Sequence, residues 1–506
     1  MINFFREKFF WIILIFAILY SYFYISCIKK GTFFTPDAGL KYLQTIQICR
    51  GNFNLEIIPP SNRVEKSIWQ EGFFPFSRPF VYKIKGKYYS VFPWLFSLLS
   101  APFVLIFGFY GIYFIPAISL LGLWIFFIFL LKKEKFSPFE ISLFLFLFIF
   151  STPITFYGFT YWEHTLSLFL LMLSIFFIKT DKNQFFTAFF LTLSYLFRPE
   201  ILLVAFFLLI YSLLKKKIGF FIYTILFLSL YFLVNTLLFG VPSGIRSLQI
   251  FEKIGIYKDI SLFSYLMLKL KTSSFIFKDI FLKFLKFSPF YLLTFFFLPF
   301  LSKKNLFYFL FLLIIPVLTV LWLPNSGGAQ WGIRYFLPFV LISFLIFIFF
   351  YKDLTGNAKK IFLTLFVVLN LISLPLNTFT SVKFYCLNVN YKYENLIKVL
   401  KSREEKTFLT VYKNTAMDLA TFFDGREIYL SEDGSRFSSL MQIFYKIGIR
   451  DFLIIKENFV SFKVPHNFRE KNFSINSHLL KRSLYGEIYR VELIPETTFS
   501  DKFPQN

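Results

Sequence analysis

Hydrophobic residues along this chain gather in runs of roughly twenty, the length that crosses a bilayer as a helix, and the polar breaks between them are rich in lysine and arginine. Such clusters stand at Arg6 and Lys8, at Lys132, Lys133 and Lys135, at Lys179 and Lys182, at Lys215, Lys216 and Lys217, at Lys303 and Lys304, and at Lys352, Lys359 and Lys360. Short cationic loops stay on the cytoplasmic side, so all six clusters are assigned there and the chain crosses twice between successive ones. The pattern predicts eleven membrane helices, over 9–28, 110–131, 137–152, 163–178, 185–197, 200–214, 218–239, 288–302, 305–323, 335–351 and 361–377. The odd number places the N-terminus in the cytoplasm and everything after about residue 378 on the opposite face.

The spans at 185–197 and 200–214 are short for a full crossing, and the turn between them, FRPE, reads as the tip of a hairpin that stops inside the protein, where alone non-helical backbone is tolerated. Residues 29–109 form a large first loop, with a hairpin predicted around Lys85 and Gly86 in FVYKIKGKYYSVF. The loop ends in PWLFSLLSAPFVLIFG, read as a helix lying in the membrane interface. A second loop, 240–287, carries a basic amphipathic part. Beyond 378 the pattern changes. TFLTVY, EIYLS, DFLIIK and EIYRVEL read as strands and TAMDLATFF and FSSLMQIFYKIG as helices, which predicts a small soluble α/β domain over 378–506 after a transmembrane domain over 1–377.

Composition agrees. Of 506 residues, 57% are hydrophobic and 16% charged, which excludes an ordinary soluble domain. The excess of 54 Lys and Arg over 29 Asp and Glu, 54 − 29 = +25, is spread as inter-helix clusters and not as a groove, so no nucleic-acid partner is expected. Cys27, Cys49 and Cys386 have no paired spacing, so neither a zinc site nor a disulfide framework is expected, and the one bridge weighed against that expectation is Cys49 to Cys386. The run Phe9 to Ile28 follows Arg6 and Lys8 but lacks a small-x-small cleavage site, and is read as a retained anchor.

With topology assigned, the polar residues near helix ends fall together on the non-cytoplasmic face: Asp37 in TPDAGLKY, Glu163 and His164 in YWEHTLS, Arg198 and Glu200 in FRPE, Arg246 and Gln249 in FGVPSGIRSLQ, and Gln330 and Arg334 in NSGGAQWGIRYFLP. Charge at a membrane depth costs about 2.5–3.5 kcal/mol per residue on insertion scales and turns towards a bundle interior or a cavity. Each residue has two readings. Asp37 either complements a helix N-terminus or serves as a base. Glu163 and His164 either anchor a helix beside Trp162 or bind an acceptor and orient the base. Arg198 and Glu200 either satisfy one another or serve a ligand. Arg334 either snorkels to the interface or meets a phosphate with bidentate hydrogen bonds that neutral side chains do not supply.

The order of PDAGLKY, YYSVFPWLFSLLSAPF, YWEHTLS, LSYLFRPEILL, FGVPSGIRSLQ and GGAQWGIRYFLP over residues 1–377 resembles the GT-C class of membrane glycosyltransferases, which holds the protein O-mannosyltransferases and the bacterial lipid A aminoarabinose transferases, and is nearest to bacterial members of the kind found in spirochaetes. The resemblance implies a polytopic helical protein of the inner membrane. It also implies a polyprenyl-phosphate sugar donor, an envelope lipid, glycan or protein acceptor, inversion at the anomeric carbon, and a first-loop aspartate as general base, here Asp37. On the reading of the residues themselves, Arg198, Arg246 and Arg334 are expected to hold the donor phosphate, Glu163 and His164 to bind the acceptor or orient the base, and Glu200, Gln249 and Gln330 to support them. Many members have a second acid beside the first-loop aspartate. Ala38 stands there in this chain, so no metal is assigned, one carboxylate being a poor seat for a divalent cation. A transporter or flippase of lipid-linked sugars is the alternative; it would show paired broken helices in matching halves and modest loops.

Overall fold

A computed structural model describes residues 8–59, 63–180, 183–248, 279–300, 303–322, 330–434, 436–466, 468–470 and 472–495. In chain order the main helices are α1 (Lys8–Ser26), α2 (Pro36–Cys49), α3 (Trp94–Phe107), α4 (Phe114–Lys133), α5 (Pro138–Ser151), α6 (His164–Thr180), α7 (Gln184–Phe197), α8 (Ile201–Leu214), α9 (Ile218–Phe239), α10 (Lys303–Trp322), α11 (Leu337–Asp353), α12 (Gly356–Pro375), α13 (Ser381–Lys392), α14 (Lys413–Asp418) and α15 (Phe437–Ile447), with short helical turns at Arg63–Ile68 and Lys398–Lys401. The chain is a multi-pass membrane protein. Among the described residues five helical stretches are long and apolar enough to cross a membrane, Lys8–Ser26, Trp94–Lys133, Ile218–Phe239, Arg334–Asp353 and Gly356–Lys401, and five shorter apolar helices accompany them. The predicted span at 288–302 is a 3-10 helix, Pro289–Phe300, with Pro299 inside it. Its prolines remove backbone donors that an α-helix would use.

The chain divides into two compact units, one made of Met1–Ile28 and Leu95–Leu387, the other of Lys29–Trp94 and Asn388–Asn506. In the first, burial sorts the helices. The best apolar window of the stretch holding α11 is 94% buried, against 17% for α9 and 28% for α1. A helix apolar all round that is enclosed by protein is the bundle centre, while apolar helices left exposed offer that surface to lipid. Phenylalanine fills the centre: Phe127 stacks on Phe148 at 4.7 Å, and Phe344 packs on Phe366 at 5.1 Å and on Phe290 at 5.4 Å. Local signals set the helix ends, as where Ser137 and Glu140 form a capping box on α5 and Gly240 closes α9 in the left-handed conformation.

Between α5 and α6 the chain leaves the α-helical form, and residues 152–163 are buried throughout. Non-helical backbone at such depth needs internal partners. Within the segment Tyr157 N–H donates to Ile154 O at 3.1 Å and Trp162 N–H to Thr160 O at 2.7 Å, and just before it the Asn377 amide donates to Ser151 O at 2.7 Å and to Phe287 O at 3.0 Å while accepting from Trp331 Nε1 at 3.2 Å.

The expectation of no disulfide is corrected here, because Cys27 is bonded to Cys386 with Cα atoms 5.1 Å apart. The physical reason is tertiary: α1 and α13 are already held together by Tyr24, whose hydroxyl donates to Ser381 Oγ at 2.6 Å and whose ring meets Tyr385 at 5.4 Å.

In the second unit the predicted hairpin forms from β1 (Val81–Ile84) and β2 (Lys87–Ser90), and both turn residues have positive φ, 48° at Lys85 and 81° at Gly86, as a two-residue turn of this hand requires. The C-terminal strands are β3 (Thr407–Thr410), β4 (Glu427–Leu430), β5 (Asp451–Glu457), β6 (Phe468–Arg469), β7 (Phe473–Arg482) and β8 (Gly486–Pro495), in one sheet of order β4-β3-β5-β8-β7-β6. β3 runs parallel to β4 and β5, and the remaining pairs are antiparallel.

Candidate active site

Three of the predicted segments in the first unit are brought together by helix ends. Ser167, four residues after Glu163, donates to Ser194 O at 2.9 Å; Ser194, four residues before Arg198, donates back to Ser167 O at 2.7 Å. This reciprocal bond pins α6 to α7 one turn from their ends, since residues four apart share a helix face. Arg198 follows α7 in an extended conformation (φ −140°, ψ 105°), which the succeeding Pro199 favours.

At those ends Arg198 Nη1 donates to Glu163 Oε1 at 2.9 Å, while Nε and Nη2 grip Glu200 at 3.0 and 2.5 Å. All three side chains are buried. The fork of Arg198 thus meets both carboxylates, three of its five N–H groups being used. Arg334 starts the 3-10 turn Arg334–Phe336 ahead of α11, and its backbone N–H donates to Gln330 Oε1 at 3.3 Å. Its guanidinium lies 5.0 Å from the Trp162 ring and 5.1 Å from that of Tyr335, and Tyr335 in turn lies 5.9 Å from the guanidinium of Arg198. Arg246 interacts electrostatically with Arg198, Glu200 and Glu163, and its Nη1 has no hydrogen-bond partner among the described residues. His164 packs between Tyr157, at 4.7 Å, and Trp162, at 5.4 Å, and the Tyr157 hydroxyl donates to Trp331 O at 2.7 Å. Gln249 and the segment Asn325 to Ala329 lie outside the described residues.

The structure therefore gathers Glu163, His164, Arg198, Glu200, Arg246 and Arg334, three arginines against two glutamates, a formal 3 − 2 = +1. An excess of cation where water is scarce raises the local concentration of an anion.

Asp37 belongs to the second unit. Thr35 is extended, Pro36 occupies the first turn of α2 and Asp37 follows it, half-buried. α2 lies so close to α14 that a Cβ on Gly39 would stand 1.9 Å from Met417 O. That contact puts Asp37 within electrostatic reach of Asp418, the last residue of α14. Lys392 Nζ donates to both oxygens of Asp418, at 2.9 and 3.0 Å, and the Tyr485 hydroxyl donates to one of them at 3.2 Å. Burial raises the Asp418 carboxyl above its ordinary range, with Asp37 adding to the shift. Glu457, the last residue of β5, is pushed up to about 8, first by burial and then by Asp418. The order β4-β3-β5 makes the β3/β5 boundary a topological switch point, the place in such sheets where ligands bind beyond the strand ends.

Sequence reasoning missed Asp418, Lys392, Glu457 and Tyr485, which no motif marks. It also passed over Lys41, four residues after Asp37 and therefore on its helix face; Lys41 is 2% exposed, with Nζ 4.8 Å from the Phe92 ring. Asp418 does not complete a cation site with Asp37, since Lys392 occupies both its oxygens. Among the described residues no group of three His, Cys, Asp or Glu is placed to hold a metal ion.

No family model and no curated protein matches the sequence. The fold is similar to that of ArnT from Cupriavidus metallidurans in the apo state, with a TM-score of 0.52 and 10% identity over 95% of this chain and 97% of that one. A crystal structure of ArnT from the same organism bound to undecaprenyl phosphate aligns with a TM-score of 0.48 at 10% identity, over 96% of this chain and 98% of that one. At such identity the likeness is one of fold.

Proposed function

We propose that the protein is an inverting glycosyltransferase that moves a sugar from a polyprenyl-phosphate donor to a hydroxyl of an envelope acceptor on the extracytoplasmic face of the inner membrane. The observation that carries this reading is the cluster of Arg198, buried, with Arg246 and Arg334, half-buried, whose positive charge exceeds that of its two glutamates, within a GT-C fold. Arg198 grips Glu163 and Glu200 and serves as the keystone, and with it Arg246 and Arg334 meet the phosphate. In the transfer, Asp37 takes the proton of the acceptor hydroxyl, and the oxygen bonds to the anomeric carbon from the face opposite the phosphate. The bond from that carbon to the phosphate oxygen breaks with its electron pair. Arginine suits the departing phosphate because it stays protonated and meets the charge as it develops. The Cys27–Cys386 bridge supports the assigned orientation: it lies at the end of α1 placed outside the cytoplasm, where disulfides persist.

The test is transfer itself. Protein reconstituted in liposomes with a radiolabelled polyprenyl-phosphate sugar and an envelope extract should move label to the acceptor, and Asp37→Asn should abolish this while leaving the protein folded. Label that crosses the bilayer still attached to its lipid would favour the flippase and overturn the transferase.

A further inference from the structure

A cavity of about 590 Å³ opens at the end of the C-terminal sheet where its parallel strands begin. It is walled by residues 402–406, which lead into β3, by Glu427, which begins β4, and by residues 448–450 with Asp451, which begins β5. Glu457 ends β5, so at ~3.3 Å per residue a strand of 7 residues sets the cavity on the order of 20 Å from the acids around Asp418. Its volume falls among those of small-molecule sites, roughly 300–1,000 Å³. Its walls are polar: four of the lining side chains are cationic and four acidic, which leaves them without net formal charge.

Those charges are largely spent on one another. Arg490 donates to Asp451 at 3.1 and 2.8 Å, and its Nε lies 3.5 Å from Glu405 Oε1. Arg450 Nη1 donates to Tyr445 O at the end of α15, at 2.5 Å. Behind the wall, Arg426 donates through Nη2 to Arg403 O at 2.6 Å and through Nη1 to Glu405 O, which fixes the backbone of the segment that carries both residues. A rigid wall without net charge offers little to a free ion. What it lacks is hydrogen bonds of both senses. Arg403 Nε, a donor, and Glu405 Oε2, an acceptor, are buried without a hydrogen-bond partner, and the Glu405 side chain is only 7% exposed. Buried polar atoms left in this state are costly, and the group that donates and accepts at once is a hydroxyl. We propose that this cavity binds an uncharged saccharide, whose hydroxyls donate to Glu405 Oε2 and accept from Arg403 Nε as each side chain turns about its last torsion. The site goes beyond the transfer reaction, since a sugar held here stands at the opposite end of the strands from Glu457 and is not the one that reacts.

The experiment is saturation-transfer NMR on the full chain in phospholipid nanodiscs, with maltose, cellobiose, lactose and chitobiose as neutral probes and glucose 6-phosphate and phosphoethanolamine as charged ones. At least one neutral disaccharide should receive saturation, and neither charged compound should bind more tightly than it does. Glu405→Leu and Arg403→Met each remove one side of the hydroxyl's pairing and should weaken that binding about tenfold or more. Glu405→Gln, whose amide oxygen still accepts, should retain it. Thermal unfolding followed in parallel separates lost binding from lost fold: the disaccharide should raise the midpoint of wild type and of Glu405→Gln, and leave that of folded Glu405→Leu and Arg403→Met where it was. No binding of any neutral disaccharide, binding undiminished in both Glu405→Leu and Arg403→Met, or a preference for either charged compound would overturn the saccharide site. Transfer is read in its own assay, so each of these outcomes leaves the glycosyltransferase reading standing.

Discussion

The two units bury ionisable groups in opposite proportions. In the helical unit three arginines surround two glutamates, and the central one, Arg198, holds both carboxylates. In the unit with the sheet, Asp37, Asp418 and Glu457 interact around one lysine, Lys392, and two of the three acids are raised above their ordinary range. A surplus of permanently charged guanidinium favours an anion, whereas a surplus of buried carboxylate favours a proton. Arg198 and Lys392 each hold carboxylates, Glu163 and Glu200 in the one case and Asp418 in the other.

That contrast can be broken most sharply at Asp37. If the acidic unit supplies the base, Asp37→Asn lowers the transfer rate by about 10²–10⁴-fold with unchanged thermal unfolding. A variant with near wild-type turnover would leave the unit without its proposed task. Next in size is the keystone. Arg198→Ala strands two buried carboxylates, and removing one partner of a buried pair costs about 3–5 kcal/mol, so the melting transition of the detergent-solubilised protein should fall markedly. A small change would show that solvent reaches the cluster.

A third test uses pH. Glu457 carries a proton up to about pH 8 in the folded protein, whereas an unfolded glutamate releases it near pH 4.3. The folded form therefore binds the proton more tightly, and stability contributed by this group falls as pH rises from about 4.3 to 8, then levels off. Glu457→Gln should flatten that decline and stabilise the protein at pH 8 by a few kcal/mol. Parallel unfolding profiles for variant and wild type would remove Glu457 from the comparison. Smaller still is Arg246→Ala, which should weaken binding of a polyprenyl phosphate by about 1.5–3 kcal/mol, the range of a charge-assisted hydrogen bond, with little effect on unfolding. Equal loss of binding and stability would make Arg246 a second keystone. Smallest is Gly39→Ala, which drives a methyl into Met417 O. Overpacking of this kind costs about 1–3 kcal/mol, read as a lower unfolding midpoint together with slower transfer as α2 shifts.

What was legible in the sequence follows from the range of the forces involved. Helix stretches and the Lys85–Gly86 hairpin are local, set by hydrophobic period and turn residues, and four of the C-terminal strands are announced by β-branched and aromatic runs. β7, FSINSHLLKR, was missed because its polar and apolar residues do not form a recognisable strand run. The Arg198–Glu200 pair is two residues apart and could be weighed from sequence, but the second grip of Arg198 on Glu163 depends on the Ser167–Ser194 contact between helices. Asp418 enters the field of Asp37 across a close approach of α2 and α14 that Gly39 permits, and no short pattern encodes a meeting of segments so far apart. The cysteines mislead for the same reason, since spacing says nothing about two residues with a sequence separation of 359.

That bridge has a consequence for biogenesis. Cys27 follows α1 and Cys386 lies in α13, with a sequence separation of 359, so the bond forms only once the long segment between them has let those two helices meet. The oxidised fraction on a non-reducing gel therefore counts the molecules in which that meeting has taken place.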